Sequence, residues 1–118
     1  MISIHDIEEN VMPKKSMVIL TEAMFYVLMA FKQGEMCGID IADYVENHTN
    51  GRVKMGPATL YTILGKFETE KYIKEINVEG RKRTYQITEK GTEAYQIELG
   101  RLKQCVMDAE LSESLKGE

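Results

Sequence analysis

At 118 residues, 43% hydrophobic and 29% charged, the chain has the size and balance of one soluble globular domain. No apolar run reaches the ~20 residues of a membrane span, and "MISIHDIEEN" has neither the basic nor the apolar part of a secretory signal, so a cytoplasmic location is expected. The net charge of −4 opposes a nucleic-acid partner, but residues 52–83 hold eight basic and four acidic side chains, leaving the remainder at −8; a basic zone on an acidic body is a legitimate electrostatic footprint.

Taken in chain order, residues 1–19 read as an N-terminal arm. Ile4, Ile7 and Val11 have helical spacing there until Pro13 interrupts. "LTEAMFYVLMAFKQG" then predicts a helix over about 22–33. Thr21 is its N-cap, Met24, Val27, Leu28 and Phe31 form its apolar face, and Gly34 is its stop. "GEMCG" reads as a turn. A shorter helix follows in "GIDIADYVENHTNG", with Ile41, Ala42 and Val45 on its apolar side. Pro57 opens a third helix, where a missing N–H costs nothing. The period then changes from helical to alternating. Residues 72–78 and 82–87 predict a β-hairpin turning at Glu79–Gly80, with Arg81, Lys82 and Arg83 at its tip. Thr88 caps a long helix to about Leu111. Along it Tyr95, Leu99, Leu102, Val106 and Ala109 form an a/d seam of about two heptads. Two heptads are too short for a coiled coil alone, so the seam is expected on the first helix, on a second copy of itself, or on both. Three helices followed by a two-stranded ribbon is the order of a winged helix-turn-helix.

The third helix has an unusual polar side. Leu60, Ile63, Leu64 and Phe67 form its buried stripe. Opposite lie Ala58, Thr62, Gly65 and Thr69, with Thr59, Tyr61 and Lys66 on the shoulders and no acid between Pro57 and Phe67. A solvated face normally carries Glu and Lys pairs. Small residues without carboxylates suit close approach to a phosphate surface, where Ala and Thr methyls meet thymine methyls and Thr hydroxyls meet base edges. Lys66 and Tyr61, with Lys54 just upstream, would reach phosphates, which position without specifying. The helix N-terminus at Pro57 also favours an anion. Small residues would equally serve a helix packed on both sides. Basic residues on a ribbon edge also discourage aggregation. The two features together favour DNA over either plain reading.

Other chemistry finds little support. Cys37, Cys105, His5 and His48 are not at ligand spacing, so no metal and no cofactor is expected. The sequence has no paired nucleophile and base and no glycine-rich phosphate loop, so an enzyme is not expected. Eight methionines point to a compliant core.

At "LTEAMFYVLMAF", "GPATLYTILGKFETEKYI", "GRKRTYQITEKG" and "ELGRL", from about Leu20 to Leu102, the chain resembles the PadR-like winged-helix transcriptional regulators. The combination of "ATLY", the hairpin and "ITEKG" is the specific part. The resemblance implies a homodimeric repressor at a partly palindromic operator, released in many members by a small-molecule effector near the dimer interface. It places Ala58, Thr59, Tyr61, Thr62 and Lys66 toward DNA, with Arg81, Lys82 and Arg83 on the wing; Lys54, just before the same helix, and Pro57, at its start, are expected to join them. The dimer interface would use Met24, Tyr95, Leu99, Leu102, Val106 and Ala109. The chain has one C-terminal helix, as in the short subtype, and no Trp to build an aromatic drug-stacking pocket.

The expected architecture is mainly α with a small β-hairpin. It comprises an arm (1–19), a winged helix-turn-helix DNA-binding domain (20–88) and a dimerisation helix with its tail (89–118). The expected function is sequence-specific transcriptional regulation through double-stranded DNA. The alternative is a dimeric small-molecule- or protein-binding module that kept the fold without DNA affinity. Salt separates the two, because phosphate contacts weaken steeply as it rises.

Overall fold

The computed structural model describes residues 19–116. The arm therefore lies outside the described residues except for Ile19. Helix α1 spans Glu22–Phe31. Thr21 Oγ1 accepts the Met24 amide at 3.1 Å, and Met24 Sδ accepts the Thr21 amide at 3.4 Å. This reciprocal cap satisfies two donors that every helix start leaves open. The last two residues of the expected 22–33 form a turn instead.

Helix α2 (Gly38–His48) and helix α3 (Pro57–Thr69) follow. Between them Thr49 organises the loop. Its hydroxyl donates to the Val45 carbonyl at 2.8 Å and accepts the Val53 amide at 3.0 Å. Strands β2 (Ile73–Glu79) and β3 (Lys82–Ile87) form the predicted hairpin, shifted by one residue on its first strand. Gly80 takes the left-handed conformation the tight turn requires, at φ 63°.

One element departs from the sequence reading. "GEMCG" is more than a turn, because Met36–Cys37 form a short strand, β1. It pairs antiparallel with β3, placing Met36 opposite Tyr85 and Cys37 opposite Thr84. The sheet is three-stranded, in the order β1-β3-β2. A two-residue strand is too short to show alternation. It exists because β3 offers it a free edge.

The core lies where α1, α2 and α3 meet the sheet. Val27, Leu28, Phe31, Ile41, Val45, Leu64 and Phe67 are fully buried, and Tyr72, Ile73 and Tyr85 close the sheet side. No charged or polar residue is buried among the described ones. Truncating Phe31 or Phe67 to Ala would cost about 3–5 kcal/mol, a large share of a typical ~5–15 kcal/mol stability.

Helix α4 spans Glu89–Lys116, past the expected end at Leu111. Neither Gly nor Pro interrupts it after Gly100. Thr88 fastens its start. The Thr88 hydroxyl donates to the Lys71 carbonyl at 2.6 Å and accepts the Gly91 amide at 3.0 Å, while its own amide donates to the Tyr72 carbonyl at 2.9 Å. Tyr95 then stacks on Phe25 of α1, with ring centroids 5.0 Å apart and planes 9° apart. Beyond Leu102 every described residue of α4 is exposed.

Gly91 permits this docking. A Cβ there would stand 2.2 Å from the Tyr72 carbonyl oxygen and 2.8 Å from Ile87 Cγ1. Gly91→Ala should therefore destabilise the fold by about 1–3 kcal/mol, although Ala is the better helix former. Gly100→Ala meets nothing within 4 Å and should stabilise by about 0.5–1 kcal/mol. Urea denaturation of the two variants checks both signs.

Candidate nucleic-acid interface

Helix α3 presents two different sides. Leu60, Ile63, Leu64 and Phe67 are buried, with at most 6% exposure. Pro57, Ala58, Thr59, Tyr61, Thr62, Gly65, Lys66 and Thr69 are all exposed. The small, acid-free side is thus not packed against any of the described residues. The open alternative of a helix packed on both sides is not what the described residues form.

The exposed threonines turn part of their chemistry inward. Thr62 donates its hydroxyl to the Ala58 carbonyl at 2.9 Å, and Thr69 donates to the Gly65 carbonyl at 3.0 Å. Each keeps an acceptor lone pair and a methyl group for anything outside. The face is therefore an accepting, methyl-bearing surface more than a donating one. Gly65 leaves a gap in it, since a Cβ there would meet nothing within 4 Å.

The two ends of α3 differ electrostatically. Gly56, its N-cap, offers no side-chain cap, and the first turn carries no acid. At the other end Lys90 Nζ donates to the Glu70 carbonyl at 2.8 Å and sits 5.5 Å from the Tyr72 ring centroid. A cation at the C-terminus complements the helix dipole. The positive N-terminal end stays open.

The wing places its bases close to α3. Tyr61 and Arg81, Lys82 and Arg83 line one cleft together. Arg83 is partly neutralised by Glu75 across the hairpin, Nη1 to Oε1 at 3.1 Å. Arg81 and Lys82 form no ion pair among the described residues. At the root of the wing, burial pushes the Tyr85 phenol above its usual range, with Glu68 adding to the effect. On the other flank Ala58, Thr59, Thr62 and Lys66 border a recess of about 390 Å³ against the start of α1.

Not every base in the 52–83 zone is free. Arg52 reaches back to α1, donating to the Tyr26 hydroxyl at 2.6 Å and pairing with Glu22 at 3.4 Å. Lys54 is exposed in the loop before α3, and its Cε lies 3.7 Å from where a Cβ on Gly51 would be.

The residues expected at a dimer interface separate into two groups. Met24 is 4% exposed and caps its own helix, so it is part of its own core and offers a partner almost no surface. Tyr95, Leu99 and Leu102 are half-buried, while Val106 and Ala109 are exposed. The reading of α4 by heptads missed Ile97, Met107, Leu111 and Leu115, which are at least 60% exposed and lie on the side opposite the seam. It also missed Phe25, the ring beneath Tyr95. Ile39 was missed too, 73% exposed at the start of α2. Its signal was its position out of phase with the Ile41 and Val45 stripe.

Among the described residues no helix is long and apolar enough to cross a membrane, and no cluster of His, Cys, Asp and Glu could hold a metal ion. Cys37 is buried and Cys105 exposed, both free.

Residues 27–97 match the family described as "Transcriptional regulator PadR-like family". The fold is similar to that of a transcriptional regulator from Clostridium thermocellum, with a TM-score of 0.61 and 26% identity over 73% of this chain and 89% of that one. It is similar to a PadR family transcription regulator from Clostridium difficile, with a TM-score of 0.62 and 18% identity over 77% of this chain and 99% of that one. It is similar as well to Bacillus subtilis PadR in complex with operator DNA, with a TM-score of 0.60 and 22% identity over 67% of this chain; the chain spans 48% of that protein. No curated protein matches the chain in sequence.

The open face of α3 makes one stability prediction independent of any partner. Gly65→Ala should stabilise the free protein by about 0.5–1 kcal/mol, read as a higher urea midpoint at unchanged slope.

Proposed function

The chain belongs to the PadR-like family of transcriptional regulators, and we propose that it is a homodimeric, sequence-specific DNA-binding repressor released by a small-molecule effector. The observation that carries this reading is the exposed, acid-free side of α3 beside a wing whose Arg81 and Lys82 form no ion pair among the described residues. Solvent alone does not call for such a face. A major groove does, because it is lined by phosphates that repel carboxylates and admits a helix only at close approach. The B. subtilis structure described with operator DNA supports the same reading.

In this arrangement Ala58, Thr59 and Thr62 meet base edges. The Thr62 hydroxyl, already donating to its own helix, accepts from an adenine or cytosine amino group, or its methyl meets thymine. Lys54, Tyr61 and Lys66 hold phosphates, and the open N-terminus at Pro57 adds a fixed positive end. Arg81, Lys82 and Arg83 contact backbone or the adjacent minor groove. These residues position and discriminate, and none is placed for covalent chemistry. Residues 20–88 form the DNA-binding unit and 89–118 the dimerisation helix and tail.

Dimerisation follows from what α4 leaves open. One helix reads only a few base pairs, and two reach half-sites about 34 Å apart. Among the described residues nothing packs on the distal half of α4, which leaves Val106 exposed on the seam and Met107, Leu111 and Leu115 exposed on the opposite side. A second copy of α4, with α1, would cover the seam side. Val106→Glu should split the dimer while leaving the subunit folded, because Val106 is already 55% exposed. Sedimentation at micromolar concentration gives the answer; an intact dimer would remove Val106 from the interface.

The central test is a titration against DNA spanning the protein's own upstream region, at two salt concentrations, with unrelated DNA as competitor. Specific binding that weakens as salt rises is expected. A folded dimer that binds no DNA at low salt would end the repressor reading in favour of a ligand- or protein-binding module. Arg81→Ala with Arg83→Ala should weaken binding to all sequences and reduce the salt slope by about one to two. Thr62→Ala should instead alter preference at one base position, by about 1–3 kcal/mol. Identical behaviour of the two variants would contradict the division of roles.

A further inference from the structure

A cleft of about 740 Å³ lies between the start of α2, the shoulder of α3 and the root of the wing. Its volume is that of a small-molecule pocket. Leu64, Tyr85 and Cys37, each at most 7% exposed, are among its buried lining residues. Ile39 and Tyr61 line it as well, and they remain 73% and 64% exposed. Tyr61 lies against α2, since a Cβ on Gly38 would be 3.8 Å from its ring and from its hydroxyl. Arg81, Lys82 and Arg83 complete the lining.

The charges in this cleft do not cancel. Asp40 is its one acidic lining residue. Its carboxylate already accepts the Cys37 thiol at 3.3 Å and the Cys37 amide at 3.4 Å. Glu75, on the neighbouring strand, is taken by Arg83. Arg81 and Lys82 are left without a carboxylate partner among the described residues. The amides at the N-terminus of α2 add a further positive end.

A DNA strand alone accounts poorly for this lining. Phosphates would use the bases, but an isoleucine 73% exposed gains nothing from a sugar-phosphate backbone. Apolar walls with uncompensated cations fit a molecule that has both an apolar body and an anionic group. We propose that this cleft binds a small amphipathic organic anion, and that the anion and DNA exclude one another there. The exclusion rests on reading α3 and the wing as the DNA face, because Tyr61 and Arg81–Arg83 belong to both. Such a ligand acts at the DNA face itself and needs no relay through a dimer interface.

The probe is 8-anilinonaphthalene-1-sulfonate, an aromatic body bearing one anion, titrated by fluorescence against the full chain without DNA. Saturable binding with one site per chain is expected. Ile39→Asp should weaken it by roughly tenfold, the worth of losing one buried aliphatic side chain. An acid in the first turn of α2 suits that helix, so this variant should fold. Arg81→Glu, at an exposed turn position, should weaken the sulfonate dye and leave its uncharged relative N-phenyl-1-naphthylamine unaffected. Glu46→Gln, exposed near the far end of α2 and outside the cleft lining, should change neither. Dye binding indifferent to Ile39→Asp and Arg81→Glu, or abolished by Glu46→Gln, would overturn the site. Duplex DNA that binds dye-loaded and free protein equally well would overturn the exclusion. Failure to bind DNA in the absence of dye counts against the repressor reading, and the dye titration decides the cleft regardless.

Discussion

The close approach of Gly91 to the Tyr72 carbonyl is the contact on which the rest of the molecule depends. It brings the first turn of α4 against the turn that leaves α3, and Thr88 fastens the two with its hydroxyl and its amide. Lys90, one residue earlier, donates to the last turn of α3. The end of α3, the end of the wing and the start of α4 therefore meet at one junction. Any side chain larger than hydrogen at position 91 would force them apart. The orientation of α3 against the long helix is set by backbone contact, which is stiffer than contact between flexible side chains.

Much of this was legible in the sequence where the physical signal is periodic. The stripe Leu60, Ile63, Leu64, Phe67 located α3 and its buried side, and the change to alternation at Tyr72 located the wing to within one residue. Glu79–Gly80 located its turn. Strand β1 was not legible, because two residues have no period and pair only through the edge of β3. The constraint on Gly91 was not legible either. In sequence it is a glycine inside a helix, a mild defect, and its reason is a carbonyl nineteen positions earlier. The cleft beside the wing is likewise a product of folding, since Ile39, Tyr61 and Arg81 are distant in sequence.

The seam on α4 shows the limit of a linear pattern. Tyr95, Leu99, Leu102, Val106 and Ala109 read as one continuous stripe, yet the structure divides them. Tyr95 stacks on Phe25 of the winged domain, and Leu99 and Leu102 are half-buried. The last two are exposed. A heptad count cannot tell burial within a chain from burial by a second one, because both reward the same spacing. Met24, read both as part of the apolar face of α1 and as an interface residue, is buried in its own core and serves as cap.

The unequal ends of α3 have a thermodynamic consequence. Lys90 completes the C-terminal end, while the N-terminal end has only Gly56, no side-chain cap and no acid. The free molecule therefore holds its third helix in an electrostatically unfinished state. An anion settling at that end would supply the missing cap, and the helix and the bound state would stabilise each other by linkage. A carboxylate cap there would satisfy the helix permanently and repel the anion. The order of this segment and its response to a nearby negative charge would thus be two readings of a single free energy.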